Sequence, residues 1–200
     1  MDSIFGRIET LYLGVPGEHL VKQPRPTLQA ELDGFKGDRH GSFERESWGI
    51  GDKQPAGVVR RNERQWSAVS QEELAKMSQE MDLCEPVNAG SIGANLCISG
   101  VPNLSQLPKG TIFKFPSNAE LMVEEYNPPC KGVSKKIASL HTTISGEPLK
   151  ENAFSEAAKF SRGLVGVIEV AGEINEGDQF EVLIYEPPRW LSKIYRNSSQ

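Results

Sequence analysis

Apolar residues fall in short runs along the chain, and glycine or proline ends most of them. That rhythm predicts a strand-rich domain with many turns. Ile8, Leu11 and Leu13 mark an N-terminal strand over residues 4–15. Pro24-Arg25-Pro26 is extended, because each proline disfavours helix in the residue before it, and a short strand follows at 28–32. Residues 42–62 read as irregular, with Gly49, Gly51, Pro55 and Gly57, and a strand follows at 65–69. Ser70-Gln71-Glu72-Glu73 has the form of a capping box, so a helix runs over about 71–81 with Leu74, Met77 and Met81 on one face.

A strand is predicted at 96–98, and a hairpin from 111–115 and 119–126. Asn127-Pro128-Pro129-Cys130 stops that hairpin, since proline has no N–H for a ladder. Short helices are expected at 134–140 and 155–160, and the segments 164–170 and 179–185 read as a final hairpin. Pro187-Pro188 ends it, and a polar tail carries Trp190, Leu191 and Ile194. No strand–helix–strand rhythm recurs, which argues against a doubly wound parallel sheet. The expected fold is mainly β, a closed or nearly closed barrel with a few covering helices.

Composition narrows the classes. At 200 residues, 38% hydrophobic and 24% charged, the chain suits one domain with its own core. With 22 Lys+Arg against 27 Asp+Glu, the net charge is −5. That balance lacks the broad basic surface a nucleic acid needs, though it leaves room for a local pocket for a small anion. The most apolar stretch, residues 164–168, is far short of the roughly 20 residues that span a bilayer, so no membrane segment is expected. Met1-Asp2-Ser3-Ile4 does not begin a secretory leader. Cys84, Cys97 and Cys130 form an odd set without CxxC, which points to a reducing, cytoplasmic setting.

Four places carry candidate chemistry. Cys130 follows a double proline and precedes Lys131, Lys135 and Lys136; neighbouring cations favour a thiolate, a better nucleophile and metal ligand, whereas the bland alternative is a buried inert cysteine. Cys84 and Cys97 sit among apolar neighbours and read as inert. Lys36-Gly37-Asp38-Arg39-His40-Gly41 offers positive charge, backbone N–H groups and a histidine; alternatively it is a charged surface turn. Arg60-Arg61-Asn62-Glu63-Arg64 suits a small anion or is a solvated charge run. Gly90 to Leu96 places Asn95 where it can meet a polar ligand edge, or is simply a turn. His19, His40 and His141 lack metal-ligand spacing. P-loop, dinucleotide-binding, zinc-protease and nucleophile-elbow motifs are absent.

Taken in order, these pieces resemble a known family. The series runs Gly34-Phe35-Lys36-Gly37-Asp38-Arg39-His40-Gly41, then Arg61 to Ser70 with Glu72-Glu73-Leu74, then Gly93-Ala94-Asn95-Leu96 with Ser99-Gly100. Leu107-Pro108-Lys109-Gly110-Thr111, Pro129-Cys130, Arg162-Gly163-Leu164, Gly172-Glu173-Ile174 and Gly177-Asp178 complete it. The chain resembles the MOSC domain, the C-terminal module of molybdenum cofactor sulfurases, which also occurs as small standalone bacterial proteins. The resemblance covers residues 5–186 and leaves 187–200 as a polar tail.

It implies a β-barrel of mixed strands and, at Cys130, a cysteine that holds sulfur as a persulfide or ligates molybdenum. It implies a molybdenum-pyranopterin cofactor held by Lys36, Gly37, Asp38, Arg39, Arg61, Asn95 and Arg162, with Cys130 and His40 as catalytic residues. The expected activity is reduction of N-hydroxylated compounds with electrons from an external reductase. One alternative is a sulfur carrier loaded by a cysteine desulfurase; another is a non-catalytic barrel that binds a small anion. The chain departs from the family's usual Gly-Glu-Asn-Leu at Ala94, and it has no room for a desulfurase domain, so no pyridoxal phosphate is expected.

Overall fold

The computed structural model describes residues 4–15, 17 and 21–188. In chain order the elements are β1 (Ile4–Leu13), β2 (Gln23–Arg25), β3 (Thr27–Glu31), β4 (Gly34–Phe35), β5 (Glu44–Glu46), β6 (Val59–Arg61) and β7 (Trp66–Ser70). Then come α1 (Gln71–Glu80), β8 (Leu96–Ser99), β9 (Ile112–Lys114), β10 (Glu120–Tyr126), α2 (Lys131–Leu140), α3 (Ala153–Ala157), β11 (Leu164–Val170), β12 (Gly172–Asn175) and β13 (Gln179–Leu183).

The main sheet runs β13-β9-β10-β11-β7-β8-β1, and β13 pairs back onto β1 to close a seven-stranded barrel; β2 pairs with the outer part of β1. Closure leaves fewer free ladder edges. Every named pairing is antiparallel except β7 with β8, where α1 makes the crossover that a parallel pair requires. The barrel is thus mixed, and one strand–helix–strand unit exists where none was expected.

The barrel interior is packed by apolar side chains including Ile8, Leu11, Trp66, Phe113, Leu121, Val123 and Phe180. Rings fill it: Trp66 and Phe113 centroids lie 5.8 Å apart, Phe113 and Phe180 5.2 Å, within the range of favourable tilted contacts. Gly166 makes room for the indole, since a Cβ there would sit 1.9 Å from the Met122 oxygen and 2.4 Å from the Trp66 ring. A second apolar cluster joins Val69, Ala94 and Cys97 to Leu74 and Met77 of α1, Val133 and Ile137 of α2 and Phe154 of α3.

Helix α1 starts as the sequence predicts. Ser70 accepts the Glu73 N–H at 3.2 Å, and Leu74, Met77 and Met81 are buried. Glu73 does not complete the capping box; its carboxylate accepts from the Ser105 hydroxyl and N–H instead.

Two further expectations are corrected. Strands β11 and β13 do not pair: β11 lies between β10 and β7, and β13 between β9 and β1. The segment read as their turn contains β12, which pairs with β3 outside the barrel sheet. Residues 42–62, read as irregular, contain the β5–β6 hairpin, whose charged strands show no apolar period. Arg45 and Arg60 bridge Asp52 and Glu63 there, so ion pairs take the place of an apolar face. Trp190, Leu191 and Ile194 lie outside the described residues.

Candidate functional site

Cys130 sits where the chain leaves β10. Pro128 and Pro129 end the strand and hold the backbone extended, and Cys130 (φ −113°, ψ 154°) becomes the N-cap of α2. Its Sγ accepts the Val133 N–H at 3.5 Å, and its carbonyl accepts from Ser134. The thiol is exposed, as is that of Cys84, while Cys97 is buried and burial pushes its thiol up to about 11. The inert reading therefore holds for Cys97. Cys84 is a correction: its loop after α1 is fixed by its N–H on the Thr142 carbonyl, with the residue at the surface.

A cleft of about 500 Å3 opens beside Cys130. Its walls come from the loop after β4 (Arg39, His40), the tip of the β5–β6 hairpin (Trp48, Ile50), Arg64 before β7 and Ser67 within it, the loop before β8 (Ile92, Gly93) and Arg162 before β11. Three arginines and a histidine line it, and among the described residues no aspartate or glutamate does. Such a wall attracts anions and disfavours cations.

Arg162 has a distinctive position. It is 5% exposed, and its Nη2 donates to the Ile92 carbonyl at 2.7 Å. Its Nε and Nη1 are buried without a hydrogen-bond partner among the described residues. Burial lowers its pKa to about 10, against the attraction of Cys130. Gly163 (φ 97°) lets the chain turn into β11, where a Cβ would meet the Ala68 carbonyl at 2.0 Å. Arg64, also in the wall, donates to Glu125 at 3.1 Å and to the Asn127 side chain, and its guanidinium lies 5.5 Å from the Trp48 ring.

Behind the wall lies Asp38, its side chain buried. Its Oδ1 accepts the His40 N–H at 2.9 Å and meets His40 Nδ1 at 3.0 Å. Its Oδ2 accepts from Gly14 N–H, Lys22 Nζ and Asn95 Nδ2 at 2.9, 2.9 and 2.8 Å. Burial opposes ionisation, but the hydrogen bond from His40, the Lys22 ammonium and the backbone N–H donors outweigh it and hold the carboxyl far below the usual range. An ionised Asp38 only accepts, so His40 Nδ1 carries a hydrogen and Nε2 is the ring atom left for other work. Burial lowers Lys22 to about 8, with Asp38 opposing.

The structure thus brings Cys130, His40, Arg39 and Arg162 to one cleft and puts the other nominated residues elsewhere. Asp38 and Asn95 form the layer behind it; Asn95 is 1% exposed and also bonds the Tyr12 carbonyl and the Ser67 N–H. Gly37 turns the loop (φ 79°) one residue before Asp38. Lys36 extends from the loop toward Glu31 at 3.5 Å, and Arg61 pairs with Glu124, which also takes Lys109. Both cations are drawn to carboxylates outside the cleft. Ala94 is fully buried in the second apolar cluster, not in the cleft wall.

Arg64, Trp48 and Lys22 are additions. Arg64 belongs to the basic run already singled out; it lies in the loop between β6 and β7 and lines the cleft, whereas Arg61, the last residue of β6, does not. Trp48 and Lys22 carry no local signal. Among the described residues no group of three His, Cys, Asp or Glu side chains is placed to hold a metal ion, and no helix is long and apolar enough to cross a membrane.

Comparison with known proteins places these features in a family. The MOSC domain model matches residues 37–181. A Bacillus subtilis protein, YuaD, is 31% identical over 183 residues, covering 90% of this chain and 91% of that one; its name proposes a place in metal-sulfur cluster biosynthesis. The crystal structure of the B. subtilis YuaD protein superposes with a TM-score of 0.85 at 29% identity, over 92% of this chain and 99% of that one. YiiM from Geobacillus stearothermophilus shares the fold, with a TM-score of 0.60 at 14% identity over 96% and 85% of the two chains.

Proposed function

The chain belongs to the MOSC domain family, and on that premise we propose that it carries sulfur as a persulfide on Cys130 for delivery to a metal centre elsewhere. The observation that carries this reading is the exposed Cys130 thiol at the start of α2, beside a cleft lined by three arginines and, among the described residues, by no carboxylate. The Cys130 thiolate attacks the terminal sulfur of a donor persulfide, such as one formed on a cysteine desulfurase. The new S–S bond forms at Cys130 as the donor S–S bond breaks, and the donor leaves as a thiolate. The arginines and the first N–H groups of α2 offset the negative charge that both thiolate and persulfide bring. His40, oriented by Asp38, presents Nε2 to hold or release the proton of either. The name of the YuaD relative supports this reading.

The test is sulfur loading. Wild type and Cys130→Ser are treated with a desulfurase and cysteine, then measured by intact mass. Addition of one sulfur atom that cyanide removes, in wild type alone, is the expected result; no addition to wild type sinks the reading.

A second reading is favoured by the same wall. The donor set fits a molybdenum-pyranopterin cofactor: Arg39, Arg64 and Arg162 would hold its phosphate, and the soft Cys130 sulfur would meet the metal. When bound, that group would supply oxygen-atom removal from N-hydroxylated compounds, with electrons from a partner reductase. Stoichiometric molybdenum and pterin in the purified protein, with the metal lost in Cys130→Ser, would move the assignment to this reading.

A further inference from the structure

We propose that the Cys130 cleft contains a subsite for a small tetrahedral oxyanion, and that the sulfur donor it serves is thiosulfate or a compound of that class. The inference rests on the sulfur-carrier reading. What extends it is Arg162, buried, with Nε and Nη1 unpartnered among the described residues. A buried guanidinium with orphan donors is costly unless something supplies negative charge beside it. Among the described residues the carboxylates near the cleft have partners other than Arg162: Glu125 takes Arg64 and Lys53, Glu124 takes Arg61 and Lys109, and Asp38 faces Lys22 and His40. Among the described residues, neutral side chains, three arginines and His40 make up the cleft wall.

One thiolate does not use both orphan donors of Arg162, Nε and Nη1, which lack a partner among the described residues. A carrier that took sulfur only from a protein persulfide would bring together at most two negative charges, on the attacking thiolate and on the donor. Thiosulfate is a dianion, and attack by a thiolate on its outer sulfur brings three negative charges together. The arginines and the α2 N-terminus are placed where that repulsion builds up. The step balances without another reactant. Cys130–S⁻ bonds to the sulfane sulfur, the S–S bond of thiosulfate breaks, and sulfite leaves with the electron pair. The products are Cys130–S–S⁻ and sulfite, with no proton or electron gained or lost. The oxyanion pocket would equally take the phosphate of a cofactor, and the experiment separates the two.

Full-length protein is incubated with thiosulfate or with sodium disulfide, a small sulfane donor without an oxyanion. Sulfur on Cys130 is read by intact mass and cyanide release, and sulfite is titrated. Wild type should load from both donors, with one sulfite per sulfur bound, and inorganic phosphate should slow thiosulfate loading more than disulfide loading. Arg162→Met should slow thiosulfate loading about a hundredfold, the order of effect seen when one charge-stabilising donor is removed. That loss should exceed the loss on disulfide at least tenfold, so disulfide loading also reports that the variant is folded; Arg64→Gln provides a second variant. Loading from disulfide but not from thiosulfate overturns the inference and leaves the carrier reading intact, and inhibition by phosphate would then assign the pocket to a phosphate ester. Equal loss on both donors in Arg162→Met overturns the subsite. No loading of wild type from either donor overturns the carrier reading and the inference together.

Discussion

Replacing Asp38 by Asn tests whether the buried network behind the cleft holds that end of the barrel together. Five donors converge on this carboxylate: His40 N–H and Nδ1–H on one oxygen, Gly14 N–H, Lys22 Nζ and Asn95 Nδ2 on the other. An asparagine accepts at only one end. If its oxygen keeps His40, its NH2 faces the other three donors. Lys22 sets one part of the cost. At about 8, against an ordinary 10.5, its ammonium is already disfavoured in the fold. Without Asp38 it sheds its proton at pH 7, which limits the added cost from Lys22 to about 1 kcal/mol at 1.36 kcal/mol per pKa unit. The Gly14 and Asn95 donors become orphans at about 1–3 kcal/mol each. The expected loss is about 3–7 kcal/mol, and a domain this size melts lower by roughly 2–4 °C for each. Urea unfolding at pH 7 gives the difference directly. Asp38 is held below its unfolded value, so its contribution is present above about pH 4 and fades as the pH falls further. The gap between wild type and Asp38→Asn should therefore narrow below pH 4. A gap under about 1 kcal/mol at pH 7, against the burial cost assumed here, would refute the reasoning.

Other outcomes follow from the same geometry. Lys22→Met should cost at most about 1–2 kcal/mol, because Asp38 keeps its other donors. Lys22 is held below its unfolded pKa, so wild type gains stability as pH rises from about 8 toward 10.5. That gain, up to about 3 kcal/mol, should be missing in Lys22→Met when the two unfolding curves are compared across this range. Native protein treated with iodoacetamide should label at Cys130 and Cys84, with Cys97 protected until denaturant is added; early labelling of Cys97 would contradict its burial. Gly166→Ala should abolish soluble folded protein or lower the melting temperature by more than 10 °C, about the shift expected for a loss above 4 kcal/mol, because its Cβ meets both Met122 and Trp66.

Local pattern was a good guide where one face is apolar. The hydrophobic spacing of α1, with its Ser70 cap, and the β9–β10 hairpin appear in the structure close to their predicted bounds. Pattern failed where charge replaces apolar burial, as in β5–β6, and where partner choice depends on distant chain, as in β11, β12 and β13. The site divides in the same way. Cys130 is legible because two prolines and three lysines surround it in sequence. Lys22 is not, since a lone lysine carries no sign that a carboxylate sixteen residues on will bury it.

The sequence by itself determined the strand-rich class, the place of Cys130 at a strand end, and the ordered motifs that mark the family. Each depends on neighbours within a few residues, through backbone preference, periodicity or turn chemistry. Tertiary structure alone decided which cations face the cysteine. Barrel closure through β1 and β13 and the parallel pairing of β7 with β8 set which strands are neighbours. That geometry turned Lys36 and Arg61 toward carboxylates outside the cleft, brought Arg64 and Arg162 to its wall, and buried Asp38 behind His40. Which charges meet follows from contacts across the chain, and those contacts exist only once the barrel has closed.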